Sequence, residues 1–263
     1  MKKVYNIFIV LSATIFFSIS FADVQKLKFV ATTTHISNIL SAIGREKVDV
    51  ATIVSANLCP GHFDVNPGMV KKTVDTKYLL YHGWERWIKK IVEINPDIKL
   101  YKIEVYNNWL LPEINLKAAY EIFKLLCEID SENKYFYELN YKNYEEEIEK
   151  FVSKINKGKY SKIKVLCARH QYELLNWLGF SIIDTYNTSE ELSLKEIKKI
   201  IKIAKQKRVD LIVDNLQSSF KLGKQVAQDV NAKYLILTNF PTENSYLETL
   251  KHILEQIDTI IYE

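Results

Sequence analysis

The sequence has little cysteine. Its 263 residues include three, at Cys59, Cys127 and Cys167. Three cysteines in a chain of this length exclude a disulfide-stapled scaffold, and an odd number leaves at least one thiol free or in use as a ligand. The chain also lacks low-complexity tracts and any internal repeat of roughly 20–50 residues, which excludes a repeat architecture.

The N-terminus lacks an apolar run long enough to span a membrane. Residues 4–19 form a largely apolar run of about 16 residues, whereas a membrane-spanning helix needs about 20. Lys2 and Lys3 precede this run and the small residues Ser20 and Ala22 close it, a pattern typical of a secretory signal peptide. We therefore expect residues 1–22 to be removed by cleavage after Ala22, the alternative being a retained membrane anchor. No cysteine lies near the cleavage point to carry a lipid, so we expect a soluble periplasmic protein.

Strong charge of one sign is missing as well. The formal net charge is +4, and loss of a signal peptide with two lysines reduces it to about +2. Positive and negative residues are evenly mixed along the chain, which argues against nucleic acid or an anionic membrane surface as a partner. The remaining length allows one large domain or two of about 110 residues each.

The mature chain does contain a regular alternation of short β-rich apolar runs and longer amphipathic runs. Such an alternation predicts an α/β protein with parallel sheets and crossover helices. We expect two lobes, at residues 23–129 and 158–263. The predicted strands are 27–32, 48–54, 78–81, 163–168, 181–183, 211–213 and 234–237, and the main helices are 35–43, 83–92, 114–127, 172–178, 194–206, 222–229 and 247–257.

The segment between the lobes, residues 130–157, predicts one long helix. Asp130 is a good N-cap and Gly158 a good stop signal. The large apolar residues between them are spaced four, three, four, three and four apart, which places them on one helix face. We expect a helix from about 131 to 156, about 39 Å long, acting as a rigid strut. The stripe consists of Tyr137, Tyr141, Tyr144, Ile148, Phe151 and Ile155.

Ligands of parallel α/β sheets bind at the carboxyl ends of the strands, so the residues that follow each strand are the candidates for a site. Cys59 and His62 follow the second strand, and the Pro-Gly pair between them forces a turn. A thiolate and an imidazole at this spacing can bind one borderline cation. The alternative is a plain turn with a buried cysteine and a surface histidine.

Three further strand ends carry histidine or acidic residues. His82 ends the third strand and Glu85 follows on the first helical turn, either as ligands or as caps. His170 ends the first strand of the second half, as a ligand or as a lone histidine at a helix start. Asp214 ends the run at 211–213, as a ligand or as an N-cap. His252 is interpreted as structural, and so is His35, although His35 also follows a strand.

The ordered set of segments resembles a known family, the zinc/manganese-type solute-binding proteins of bacterial ABC transporters. The resemblance covers essentially the whole mature chain and lies in several segments rather than in one motif. The segments are FVATTTHISNILSAIGREKVDVATIV, LCPGHFDVNPGMVKK, YLLYHGWERWIKKI, DSENKYFYELNYKNYEEEIEKF and VDLIVDNLQSSFKLGKQVAQDVNAKYLIL.

This resemblance implies two α/β lobes joined by one long rigid helix, with a metal ion held between them. The family's usual ligands are three histidines and one carboxylate, or two of each. Carried over residue by residue, His62 matches the histidine of the first loop and His170 that of the second lobe. Asp214 matches the second-lobe carboxylate, although its segment is one residue longer than usual.

One usual ligand is missing. The family has a histidine two residues before the tryptophan of the segment VYNNWLLPE, and here that position is Asn107. If metal binding persists, Cys59, His82 or Glu85 completes the set. Cys59 is the first candidate because the Pro-Gly turn can bring it beside His62, and His82 is the reserve.

We therefore expect a periplasmic binding protein rather than an enzyme. It would capture Zn²⁺ or Mn²⁺ as transported ligand, without organic cofactor, and deliver it as a monomer to an ABC permease. A first alternative is the same fold with a lost metal site, in which tryptophans near the cleft line a pocket for a small organic or metal-complex ligand. A second is an exported thiol hydrolase with Cys59 as nucleophile and His62 as base.

Overall fold

The computed structural model describes residues 26–64, 66–187, 193–218, 221–242 and 245–262. The predicted signal peptide, residues 1–22, lies outside these ranges, and so does its cleavage point. Within the described ranges, none of the helices combines the length and apolar character that crossing a membrane would require.

The first half of the chain forms a four-stranded parallel sheet in the order β2-β1-β3-β4. β1 lies in the middle, where it pairs Leu27 with Val48 and Phe29 with Tyr78. Helices connect successive strands, as the alternating pattern predicts. The strands are β1 Leu27–Ala31, β2 Val48–Thr52, β3 Tyr78–Tyr81 and β4 Lys99–Lys102, and the helices are α1 Thr34–Gly44, α2 Pro67–Val74, α3 Ile88–Ile94 and α4 Pro112–Ile129.

The second half repeats this arrangement in the order β6-β5-β7-β8, again with every pair parallel. The prediction of an α/β fold with two parallel sheets and crossover helices is thereby confirmed. The strands are β5 Lys164–Ala168, β6 Ser181–Tyr186, β7 Leu211–Asn215 and β8 Lys233–Leu237; the helices are α6 Tyr172–Trp177, α7 Leu194–Lys207, α8 Lys221–Val230 and α9 Tyr246–Tyr262.

The helix between the halves, α5, is Lys134–Val152, shorter than the predicted 131–156. A 3-10 turn, Ser131–Asn133, precedes it. Beyond its end the backbone winds more tightly, because the amides of Lys154 and Ile155 donate hydrogen bonds to carbonyls three positions back instead of four. Asn156 then caps a new turn through its side chain, which accepts from the amide of Gly158. The 19 helical residues span about 28 Å.

The apolar stripe of α5 packs against both halves of the molecule. Tyr137 is buried in the core of the first half, and Ile148 is buried in the core of the second. Tyr144 lies between them and contacts both cores. The single apolar face predicted for this helix therefore joins two cores.

Candidate metal centre

A cavity of about 390 Å³ lies between the two sheets, and residues that follow strands of both halves line it. Its first-half wall comes from the segments after β1, β2, β3 and β4. Its second-half wall comes from the segments after β5, β7 and β8. This is the position expected for a ligand of two parallel sheets whose strands end at a common crevice.

The turn after β2 brings Cys59 to this cavity. Its thiol is free and half-buried, and Pro60 and Gly61 line the wall beside it. The indole N–H of Trp87 donates to the carbonyl of Pro60 at 3.1 Å, which fixes the turn on the first-half core. His62 ends the 3-10 turn Pro60–His62, and its side chain lies outside what the structure describes.

His82, directly after β3, lies deeper in the same wall and is buried. Its Nε2 is 2.8 Å from the hydroxyl of Thr33. Its ring packs edge-on against Trp109, with centroids 4.4 Å apart, and stacks on Trp84 at 5.2 Å. Burial lowers the pKa of His82 from 6.5 to about 4, although the neighbouring Glu85 opposes the shift. The imidazole is therefore neutral near pH 7, so one of its two ring nitrogens carries a lone pair.

Glu85 holds the strand end in place instead of lining the cavity. Its Oε1 accepts from the hydroxyl of Thr32 at 2.6 Å and from the amide of His82 at 2.9 Å, while its Oε2 accepts from the amide of Gly83 at 2.8 Å. The carboxylate is buried and its oxygens are engaged by these three donors. The structure thus favours the capping interpretation of this residue over the ligand interpretation.

His170 and Asn107 both line the cavity, and they come from different halves of the chain. Partial burial of the ring and, secondarily, the neighbouring Arg169 lower the pKa of His170 below its ordinary value. Asn107 has a positive φ of 92°. The adjacent Asn108 donates to the carbonyl of His170 at 3.4 Å and to the side chain of Asn239 at 3.0 Å, so this loop ties the two halves together.

The structure does not bring Asp214 to the cavity. It is fully buried, and its two oxygens accept from Tyr186 at 2.6 Å and from Tyr234 at 2.7 Å. Because side chains alternate along a strand, the next residue of β7, Asn215, points the other way and lines the cavity. Asp214 therefore supports the packing of the second half and is not placed to bind cargo there.

Two residues that the sequence did not single out as ligands make hydrogen bonds across the cleft. His35, directly after β1, lines the cavity, and its Nε2 lies 3.0 Å from the carbonyl oxygen of Asn239. Gln217 also lines it, donating to the carbonyl of Ala56 and accepting from the amide of Asn239. The position of His35 at a strand end was the one signal that could have identified it.

The described part of the cavity wall carries no charged side chain. The residues that line it include three histidines, one cysteine and several amides, but none of the described lining residues is Asp, Glu, Lys or Arg. In the part of the chain that is described, no three side chains of His, Cys, Asp or Glu are grouped closely enough to hold a metal ion. Imidazole and thiol donors therefore surround the space without already converging on one point.

Comparison with known proteins agrees with this architecture. The chain is 26% identical to the manganese ABC transporter substrate-binding lipoprotein PsaA of Streptococcus pneumoniae, over 89% of this chain and 88% of that protein. It is 25% identical to the metal ABC transporter substrate-binding lipoprotein SloC of Streptococcus mutans, over 78% of each.

Solved structures show the same fold. The crystal structure of ZnuA superposes with a TM-score of 0.79 at 19% identity, covering 89% of this chain and 99% of that one. The Mn-bound periplasmic metal binding protein of Candidatus Liberibacter asiaticus gives a TM-score of 0.75 at 20% identity, covering 90% of this chain and 100% of that one.

The comparisons do not favour the organic-ligand or hydrolase alternatives. The sequence model of ZnuA, zinc-uptake complex component A periplasmic, matches residues 29–260, so the chain belongs to this family of metal ABC transporter substrate-binding proteins.

Proposed function

We propose that this protein captures a divalent transition metal in the cavity between its sheets, prefers zinc to manganese, and delivers it to an ABC permease. The observation that carries the zinc preference is the composition of the cavity wall. It offers imidazole and thiol groups, and its described part offers no carboxylate.

The chemistry of these donors separates the two metals. Zinc binds imidazole nitrogen and thiolate sulfur strongly, whereas manganese prefers carboxylate, carbonyl and water oxygens. For a given set of nitrogen and sulfur donors, zinc also stands well above manganese in the general order of divalent affinities. A carboxylate-poor wall with neutral histidines therefore favours zinc.

The proposed donors are Cys59 and His82 from the first half and His170 from the second. We retain His62 as a donor, because its backbone lies in the same turn as Cys59. Asp214 is left out, since Tyr186 and Tyr234 occupy its oxygens. The described donors surround the cavity without converging, so we infer that they close onto the ion as it enters.

We further propose that the protein works outside the cytoplasm, in the periplasm, as a monomer, after cleavage following Ala22. The membership in a family of ABC transporter substrate-binding components supports the export and the permease. We also propose that the two lobes are residues 23–129 and 158–263, with 130–157 between them. The packing of α5 against both cores supports this division.

A competition titration tests the metal preference. Purified protein, stripped with a chelator, is titrated with Zn²⁺ and with Mn²⁺ against a chromophoric indicator. We expect 1:1 zinc binding at least 100-fold tighter than manganese binding. Cys59→Ser and His82→Gln should each weaken zinc binding by 10-fold or more, while His252→Gln, an exposed histidine on α9, serves as the matched control. Tighter binding of manganese, or equal zinc binding by all four proteins, would contradict the proposal.

A further inference from the structure

His35 lies in the cavity wall on the first turn of α1, almost completely buried at 4% exposure. Its ring is surrounded by aromatic groups: the centroid is 5.0 Å from that of Phe240, 5.8 Å from Trp109 and 6.3 Å from His82. The sequence alone suggested a packing role for this residue. The hydrogen bonding of its ring indicates a different role.

The tautomer of His35 follows from the hydrogen bond that its Nε2 makes with the Asn239 carbonyl. A carbonyl oxygen can only accept, so the contact of 3.0 Å between Nε2 and the carbonyl of Asn239 requires the hydrogen to be on Nε2. In the neutral imidazole, one ring nitrogen carries the hydrogen and the other carries a lone pair. Its Nδ1 therefore carries a free lone pair.

This Nδ1 is buried and has no hydrogen-bond partner in the described part of the chain. A buried polar atom left without a partner costs free energy, so each such atom in a native fold calls for an explanation. Histidines that bind metals donate their other ring N–H to a backbone carbonyl, a carboxylate or water, which fixes the tautomer and orients the ring. The bond from His35 to Asn239 is of this kind, and it comes from the opposite half of the molecule.

The spacing between His35 and His82 also suits a shared ion. Two imidazoles that each bind one zinc ion at about 2.0–2.1 Å place their ring centroids roughly 5–6 Å apart. The observed separation of 6.3 Å lies just above this range.

We propose that His35 is a further ligand of the cargo, binding a borderline divalent cation such as Zn²⁺ through Nδ1 together with His82. The inference rests on the proposed function. It places part of the metal site on the wall formed by the ends of β1 and β3, with the backbone of Asn239 orienting the imidazole from the other half. The metal bond and the contact between the halves would then share one side chain.

Nuclear magnetic resonance of the full mature protein tests this assignment directly. Protein labelled with ¹⁵N-histidine is loaded with ¹¹³Cd²⁺ as a zinc analogue, and each imidazole nitrogen bound to cadmium shows a one-bond coupling. We expect a coupled Nδ1 that disappears in His35→Gln, whose amide can still donate to the Asn239 carbonyl. Zinc affinity should fall by at least 10-fold in His35→Gln and remain unchanged in His252→Gln.

The outcomes separate the two proposals. If wild-type protein binds zinc but His35 shows no coupling to cadmium, His35 is a packing residue and this inference is overturned, while the proposed function stands. If wild-type protein binds no divalent metal, the proposed function fails and this inference fails with it. The wild-type spectrum decides the matter even if His35→Gln does not fold.

Discussion

The two buried histidines should make the stability of the metal-free protein fall steeply with acid. Burial lowers the pKa of His35 to about 3 and that of His82 to about 4, both from 6.5. Between the folded and unfolded pKa values, the unfolded chain binds more protons than the folded one. Stability is therefore full above pH 6.5 and is lost as the pH falls below it.

The magnitude follows from the size of the shifts. At pH 5 each unfolded histidine is protonated and each folded one is still neutral. The pH then lies about 1.5 units below the unfolded pKa, at about 1.4 kcal/mol per unit, so each residue removes about 2 kcal/mol. Together, His35 and His82 should lower the free energy of unfolding by about 4 kcal/mol between pH 8 and pH 5.

Urea unfolding at pH 8, 6 and 5, with EDTA present and followed by circular dichroism, measures this loss. Other groups also titrate, so the double variant His35→Gln/His82→Gln supplies the reference. We expect the wild-type protein to lose about 4 kcal/mol more than this variant over the range. His252→Gln, which changes an exposed histidine, should follow the wild type. Parallel pH profiles of the wild type and the double variant would refute the assignment of both rings as buried and neutral.

Two further predictions concern stability. Asp214→Ala should lower the free energy of unfolding by about 3 kcal/mol, because the hydroxyls of Tyr186 and Tyr234 lose their shared acceptor. Zinc affinity measured on the folded variant should change less than threefold; a 10-fold loss would restore Asp214 as a ligand. Gly179→Ala should cost about 2 kcal/mol or more, because φ is 87° and a Cβ would lie 2.0 Å from the carbonyl oxygen of Lys157. Gly83→Ala, where φ is 103° but the Cβ meets the flexible side chain of Lys102, should cost only about 1 kcal/mol, and urea midpoints that rank the two variants in the opposite order would contradict this reasoning.

Much of the fold could be predicted because its signals are local. The alternation of β-rich and amphipathic runs predicts parallel sheets with crossover helices, and both sheets are present. The stripe on α5 was equally readable, since helical spacing alone decides which side chains share a face. The C-terminal end of this helix could not be predicted, because the residues around Ser153 could either continue the helix or form a tighter turn.

The candidate site was predictable only in part. The strand ends suggested Cys59, His82 and His170, and these three residues line one cavity. The same reasoning placed Asp214 at the site, but its side chain points away from the cavity. β7 is buried along its whole length, so its sequence has no apolar–polar alternation to show which face each residue takes. The buried role of Glu85 depends on the hydroxyl of Thr32, 53 residues earlier in the chain.

The sequence by itself determined most of the alternation of strands and helices, without α2 and β4, which were not predicted. It also determined the apolar face of α5 and the family to which the chain belongs, since each depends on periodicity or on local similarity. The tertiary structure alone decided which donors share a cavity. The His35 ring meets the Asn239 carbonyl 204 residues away, and it comes to lie 6.3 Å from His82 through the pairing of β1 with β3. Such approaches depend on how strands pair and on which side of the sheet each residue lies, and neither is written in any short stretch of sequence.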